Sequence, residues 1–206
     1  MVSSDGGDLF VWGSTAPRLS EVVKLSAVDG AVRWKATIVG ELADMALAPR
    51  SRRLYLTGAV GERKFEDYLT VSLQTRDGAQ RWRDRYPWES EDEDHSWDEA
   101  YGLAVAPGGR LIAVTGLADS GAWNDWGETT TARIGTIFYD AATGERARIL
   151  RLTGGAGASW GVATEPAPSG NKVYVVGLEG TQSSSAEPYC ATTYGICRFR
   201  LRSFSA

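Results

Sequence analysis

The side chains with the clearest chemical potential are carboxylates crowded into one acidic segment. Asp84–Glu99 reads DRYPWESEDEDHSWDE and contains the single histidine of the chain, His95. Ca²⁺ takes about six to eight oxygen ligands, and a loop can supply several of them. The candidate metal ligands are Glu91, Asp92, Asp94 and Asp98. The spacing is not that of an EF-hand, and a run of like charge is also typical of a solvated loop, so both interpretations stay open.

A second loop combines aromatic and polar side chains. The segment Leu117–Thr131 carries Trp123, Asn124, Asp125 and Trp126. Two exposed indoles beside an amide and a carboxylate can stack on and hydrogen-bond a sugar or a peptide. The same indoles can instead pack against a neighbouring loop. The sequence supports a ligand-binding hypothesis here without excluding the packing one.

Two cysteines bracket the sequence CATTYGIC near the end of the chain. If the segment between Cys190 and Cys197 folds back as a hairpin, the two thiols can meet as a disulfide. A disulfide would indicate an oxidising compartment. The alternative is two free thiols, and the spacing is not one that binds zinc.

Composition and missing motifs exclude several classes of protein. The 206 residues carry a net charge of −4, with no basic stretch that would indicate nucleic-acid binding. No apolar run is long enough for a membrane-spanning helix. Walker loop, dinucleotide fingerprint, nucleophile elbow and HExxH are all absent, and His95 has no serine or cysteine partner in a motif. We therefore assign no catalytic residue and expect no cofactor, apart from the Ca²⁺ hypothesis.

These candidate residues are distributed over a repeated unit. The stretch Leu103–Gly116, LAVAPGGRLIAVTG, recurs as Met1–Gly13, Met45–Gly58 and Val162–Gly177. Each copy is an apolar strand, a turn rich in Pro, Gly or Ser, and a second apolar strand that ends in glycine. Self-similarity of this kind is the signature of a repeat protein.

Two further strands complete each unit. An alternating third strand leads to a tight turn and a polar fourth strand in the first three copies. The turns are Val28-Asp29-Gly30, Arg76-Asp77-Gly78 and Ala142-Thr143-Gly144. The turn glycine supplies the positive φ that a short hairpin needs. Repeated four-stranded antiparallel units predict an all-β fold and, more specifically, a β-propeller, with blades at about 1–40, 41–87, 99–153 and 157–206.

Residue spacing at the fourth strand adds a family resemblance. Trp34 and Trp82 each stand four positions after a turn glycine, and Arg148 takes that place in the third copy. With Asp140–Gly144 as the fuller form of the turn, the chain resembles the quinoprotein-like (PQQ-like) bacterial β-propellers, and most closely their non-enzymatic branch. Asp67–Val71 and Ala100–Pro107 carry the resemblance further. It implies that Trp34 and Trp82 dock against the neighbouring blade.

The number of blades bears on how the ring closes. We count between three and a half and four, because Met1-Val2 align with the end of a first strand and Ile196–Leu201 with a third. A propeller must close, since an open blade leaves unpaired edges. We therefore expect part of a larger ring with N-terminal blades missing. A four-bladed ring and a homodimer of two half-rings are the alternatives.

Three functions are compatible with this reading, because a fold does not fix function. The first is a non-catalytic scaffold, exported by a bacterium to the periplasm or the extracellular space, that presents loops to a protein or carbohydrate partner. The second is a fragment of a quinone-dependent dehydrogenase with Ca²⁺ at the ring centre, although its catalytic residues cannot be placed in this sequence. The third is a scaffold in envelope protein assembly.

Overall fold

The structure, a computed structural model, describes residues 1–48, 52–62, 65–88, 96–120, 133–152, 172–180 and 197–205. The regular secondary structure within these ranges consists of β-strands alone. No helix long and apolar enough to span a membrane occurs in these ranges. The described strands are β1 Asp8–Ala16, β2 Leu19–Ser26, β3 Val32–Val39, β4 Glu41–Leu47, β5 Arg53–Glu62, β6 Phe65–Gln74, β7 Gln80–Tyr86, β8 Ser96–Val105, β9 Leu111–Ser120, β10 Arg133–Asp140, β11 Arg146–Leu152, β12 Lys172–Gly180 and β13 Cys197–Ser205.

The strands form successive antiparallel sheets, which we call blades. Blade 1 is β1-β2-β3, to which Val2 adds a single bridge at Leu9. Blade 2 is β4-β5-β6-β7, blade 3 is β8-β9-β10-β11, and blade 4 is the β12–β13 hairpin. The prediction of an all-β fold built from antiparallel sheets is confirmed, and blades 2 and 3 have the predicted four strands. A two-residue parallel contact, Phe65–Ser96 and Glu66–Trp97, joins blades 2 and 3.

The tight turns before the outer strands have the backbone that their sequences predict. Gly30, Gly78 and Gly144 have φ angles of 72°, 74° and 79°, a conformation that glycine adopts without steric cost. In two of the turns an aspartate accepts a hydrogen bond from the amide two residues on, Asp29 at 3.1 Å and Asp77 at 3.0 Å. These local bonds favour the turn over a longer loop.

The repeated glycine, expected from the sequence to end the second strand of a unit, lies inside that strand instead, since β5 continues to Glu62 and β9 to Ser120. It marks a close approach of two backbones. A Cβ built on Gly58 would overlap the carbonyl oxygen of Glu41, and one on Gly116 would overlap that of Glu99. Both glycines lie beside a register shift between the first and second strands of their blade. They therefore accommodate a bulge that a larger residue would block.

The core lies between the blades, because the inner strands bury both of their faces. One cluster of buried residues fills the space between blades 1 and 2, and a second fills the space between blades 2 and 3. The cluster between blades 1 and 2 comprises Phe10, Val22, Ile38, Leu42, Leu54, Leu56, Leu69, Val71 and Leu73. The outer strands β7 and β11 are mostly exposed, and each carries at least three charged side chains, which disfavours edge-to-edge pairing with another chain.

Candidate functional site

Strand direction separates the two ends of blades 2 and 3. The strands β4, β6, β8 and β10 begin at one end, and the parallel contact between β6 and β8 shows that the two blades share this orientation. At the opposite end, which we call the turn end, the connections 75–79, 106–110 and 141–145 have five residues each. The connections of nine residues, 87–95, and of twelve residues, 121–132, both leave from the first end, which we call the loop end.

Most of the predicted site residues fall in the connections themselves. Trp123, Asn124, Asp125 and Trp126 lie outside the described residues, as do Glu91, Asp92, Asp94 and Cys190, and no side chain is described for Cys197. The ligand-binding, metal and disulfide hypotheses therefore stay predictions. The structure fixes only the strand ends that carry the first two of these segments.

Asp98 is the one predicted metal ligand whose side chain the structure describes. It is fully buried, and its Oδ2 accepts a hydrogen bond of 3.0 Å from the backbone amide of Trp88. This hydrogen bond holds Trp88 and Asp98, which flank the acidic connection, next to each other. Within the described ranges, no three Asp, Glu, His or Cys side chains are arranged to hold a metal ion.

Three glutamates converge at the loop end, where β4, β6 and β8 begin. Glu66 shares a hydrogen bond with Glu99, and Glu41 and Arg18 lie close enough to act on its charge. Burial, together with the negative charges of Glu99 and Glu41, raises the pKa of Glu66 to about 7, and the charge of Arg18 opposes this rise. Glu66 is therefore protonated in a substantial fraction of molecules at neutral pH. We call this group the carboxylate cluster.

Tyr101 extends the carboxylate cluster along β8. Its hydroxyl donates a hydrogen bond to Oε2 of Glu99. Burial raises the pKa of Tyr101, and the charge of Glu99 raises it further, so the phenol stays protonated and serves as a donor. Sequence analysis missed this cluster because Glu41, Glu66 and Glu99 lie far apart in the chain and belong to no motif.

A half-buried carboxylate joins the first strands of blades 2 and 3. Oδ2 of Asp44 accepts a hydrogen bond of 2.9 Å from the backbone amide of Leu103, and Oδ1 accepts one of 2.8 Å from Met45. Burial raises the pKa of Asp44, although both hydrogen bonds act against the rise. The contact holds β4 and β8 side by side.

Trp34 and Trp82 both lie against the turn of the following blade. The indole N–H of Trp34 donates to the carbonyl oxygen of Thr75 at 3.0 Å, and that of Trp82 donates to Ala141 at 3.2 Å. Each ring covers the turn glycine, so that a Cβ on Gly144 would lie 2.6 Å from Cδ2 of Trp82. The carbonyl oxygen of Ala141, which accepts the hydrogen bond from Trp82, also accepts one of 2.9 Å from the hydroxyl of Tyr55.

A charged network reinforces the same joint between blades 2 and 3. The guanidinium of Arg146 binds Asp84 through two hydrogen bonds of 2.6 and 2.8 Å, and the hydroxyl of Tyr139 donates to Asp84 at 3.0 Å. Burial raises the pKa of Tyr139, and the charge of Asp84 adds to the rise. Hydrogen bonding to Asp84 raises the pKa of Arg146. These groups connect blade 2 with blade 3.

Comparison with known proteins identifies the class of fold. No family model matches the chain, and no curated protein matches its sequence. Among solved structures, Kuenenia stuttgartiensis hydrazine synthase superposes with a TM-score of 0.56 at 16% identity, over 99% of this chain and 48% of that one. The β-propeller domain of the Trilobed protease from Pyrococcus furiosus superposes with a TM-score of 0.50 at 8% identity, over 96% of this chain and 52% of that one.

These likenesses and the succession of antiparallel sheets show that the chain has a β-propeller fold. The chain spans about half the length of the two propeller-containing chains. At such low identity the likeness establishes the architecture and leaves activity open.

Proposed function

We propose that this chain belongs to a non-catalytic β-propeller binding module that presents its loop end to a protein or carbohydrate partner. One observation carries the proposal: the connections 87–95 and 121–132 both leave from the loop end, whereas the turn end has connections of only five residues. Rigid scaffolds commonly place their binding residues in such loops. Trp123 and Trp126 belong to the longer of the two connections.

The rigidity of the joints supports this role. Blade 3 is fixed to blade 2 by Trp82, by Tyr55 and by the Asp84–Arg146 pair. Strand ends held in this way limit the conformational freedom that the loops lose on binding, which lowers the entropic cost of association. The repeats favour the quinoprotein-like family, through the motif that places Trp34 and Trp82 four residues after a turn glycine. We also propose a periplasmic or extracellular location, which rests on the predicted disulfide.

The proposal is tested by binding to an oligosaccharide array and to an array of short peptides. We expect the double substitution Trp123→Ala, Trp126→Ala to weaken binding at least tenfold, because each indole supplies contact area and stacking. Arg76→Ala is the matched control, since Arg76 is exposed at the turn end, and we expect it to bind like the unaltered chain. Equal loss in both variants would contradict the assignment of the site to the loop end.

The second candidate function, a fragment of a quinone-dependent dehydrogenase, predicts a different result. Adding pyrroloquinoline quinone and Ca²⁺ to the purified chain would then give quinone uptake and reduction of an electron-accepting dye in the presence of an alcohol. We expect neither. Dye reduction that depends on both additions would overturn the non-catalytic assignment.

A further inference from the structure

The interface between blades 2 and 3 is bridged at the turn end by two polar side chains of β5. Nη1 of Arg53 donates a hydrogen bond of 2.8 Å to the carbonyl oxygen of Ala142. The hydroxyl of Tyr55 donates one of 2.9 Å to the carbonyl oxygen of Ala141. These two side chains therefore occupy the space between β5 and the turn of the following blade.

The interface between blades 1 and 2 has smaller side chains at the same two positions. Asp8 and Phe10 of β1 stand where Arg53 and Tyr55 stand in β5, five and three residues before the repeated glycine. The carboxylate of Asp8 binds Nζ of Lys24, within blade 1, at 2.7 Å, and phenylalanine has no hydroxyl group to donate. Between the two blades lies a cavity of about 460 Å³, a volume typical of small-molecule sites, which span about 300–1,000 Å³.

The cavity is lined by carboxylates from blade 1 and by a guanidinium from blade 2. Asp5 and Asp8 supply the carboxylates, and Arg52, in the turn between β4 and β5, supplies the guanidinium. Hydrogen bonds from the hydroxyl of Ser3 and the amide of Gly7 lower the pKa of Asp5, so its carboxylate is charged at neutral pH. Both bonds reach Oδ1, which leaves Oδ2 without a donor among the described residues.

Arg52 is the group that remains available for a ligand anion. It is exposed, and it forms no ion pair within the described ranges. The carbonyl oxygen of Thr75, also in the lining, accepts a hydrogen bond of 3.0 Å from the indole of Trp34 and has a second lone pair for another donor. Apolar surface is supplied by the buried Phe10 and the partly buried Leu47. The lining thus combines a cation, an anion, a neutral acceptor and apolar groups.

We propose that this cavity binds a zwitterionic small molecule, namely a free amino acid or a short peptide with unblocked ends. The ligand carboxylate binds Arg52, since a guanidinium can donate two parallel hydrogen bonds to a carboxylate. The ligand ammonium group donates to Asp5 and to the carbonyl oxygen of Thr75. An apolar side chain of the ligand packs on Phe10 and Leu47. The site lies at the turn end, so it is separate from the partner site proposed at the loop end and does not depend on it.

Isothermal titration calorimetry of the purified chain with leucine, alanyl-leucine and alanyl-leucyl-alanine tests the proposal and separates an amino acid from a peptide as the ligand. We expect at least one of the three to bind with a dissociation constant below about 1 mM. Acetylation of its amino group and, separately, amidation of its carboxylate should each weaken binding at least tenfold, because each removes one charge. Absence of binding by all three at about 10 mM would overturn the proposal, as would equal binding of the free and the capped forms.

Arg52→Ala should weaken binding of the same ligand at least tenfold. Arg110→Ala is the matched control and should bind like the unaltered chain. Arg110 is likewise exposed, and it holds the corresponding place in blade 3, since its carbonyl oxygen accepts the amide of Ala141 at 2.9 Å as that of Arg52 accepts the amide of Thr75 at 2.8 Å. Equal loss of binding in both variants would contradict the assignment of the ligand to this cavity.

A second variant tests the cavity itself. The double substitution Asp8→Arg, Lys24→Ser gives blade 1 the residues that blade 2 has at these positions, Arg53 and Ser72. We expect the introduced arginine to fill the space and to abolish binding, with circular dichroism unchanged. Undiminished binding by this folded variant would overturn the proposal. If the variant does not fold, the comparison of free and capped ligands still decides, because it uses the unaltered chain.

Discussion

The contact between Trp82 and Gly144 gives a quantitative test of how the blades are joined. Gly144→Ala should cost about 1 kcal/mol from the positive φ and about 2 kcal/mol more because the new methyl group would lie 2.6 Å from the indole. Trp82→Ala should cost about 3 kcal/mol, since it removes a large half-buried side chain and its hydrogen bond to Ala141. Once the indole is gone, Gly144→Ala retains only the backbone cost, so the double variant should be about 2 kcal/mol more stable than the sum predicts.

The assay is urea unfolding at 25 °C, followed by far-ultraviolet circular dichroism, for the four members of the cycle. Gly6→Ala provides the matched control, because Gly6 has a φ of 72° with no atom within 4 Å of its Cβ position, and it should cost only about 1 kcal/mol. Additivity of the two substitutions to within about 0.5 kcal/mol would refute the inference that the indole and the turn are in contact. A cost for Gly6→Ala as large as that for Gly144→Ala would show that backbone strain alone explains the effect.

Three further predictions concern charge and covalent structure. The pKa of Glu66 is about 7 in the folded chain, and its ordinary value is 4.5. Ionisation of Glu66 therefore lowers the stability of the folded chain as the pH rises from 4.5 through 7. After allowance for solvent screening, Glu66→Gln should be about 1 kcal/mol more stable than the unaltered chain at pH 8 and no more stable at pH 4. An equal gain at both pH values would contradict this. Asp84→Asn should cost about 1 kcal/mol in low salt and less in 1 M NaCl, through loss of the pair with Arg146; a cost unchanged by salt would exclude the ion pair as its cause. A disulfide between Cys190 and Cys197 should make the intact mass two hydrogens lower than the reduced mass and prevent alkylation without reductant, whereas free alkylation would disprove it.

The blades could be predicted from the sequence because the interactions that define them are local. Each hairpin brings together residues close in the chain, and period-two alternation with a turn glycine marks where a strand stops. The outer strands Gln80–Tyr86 and Arg146–Leu152 have the bounds that their alternation indicates. Gly30, Gly78 and Gly144 adopt the positive φ that the turns require.

The carboxylate cluster could not be predicted, because it depends on how separate blades sit against each other. Glu41, Glu66 and Glu99 meet only once β6 and β8 pair, and two residues of parallel pairing leave no pattern in either strand. The same holds for Asp44 and Leu103, which are 59 residues apart. The predicted metal ligands lie in the connection 87–95, except for Asp98, which lies in β8. The glutamates that converge in the described residues, Glu41, Glu66 and Glu99, lie instead near the starts of β4, β6 and β8.

The joint between blades has an evolutionary consequence. On the receiving side the tryptophan contacts a carbonyl oxygen of the main chain and a glycine, and the residue that offers the carbonyl is Thr75 in one blade and Ala141 in the next. Since every residue type has a backbone carbonyl, a duplicated blade can be received without a compensating change in its neighbour. This part of the joint therefore places no constraint on the side chain at the position of Thr75 and Ala141, provided that the turn keeps its glycine.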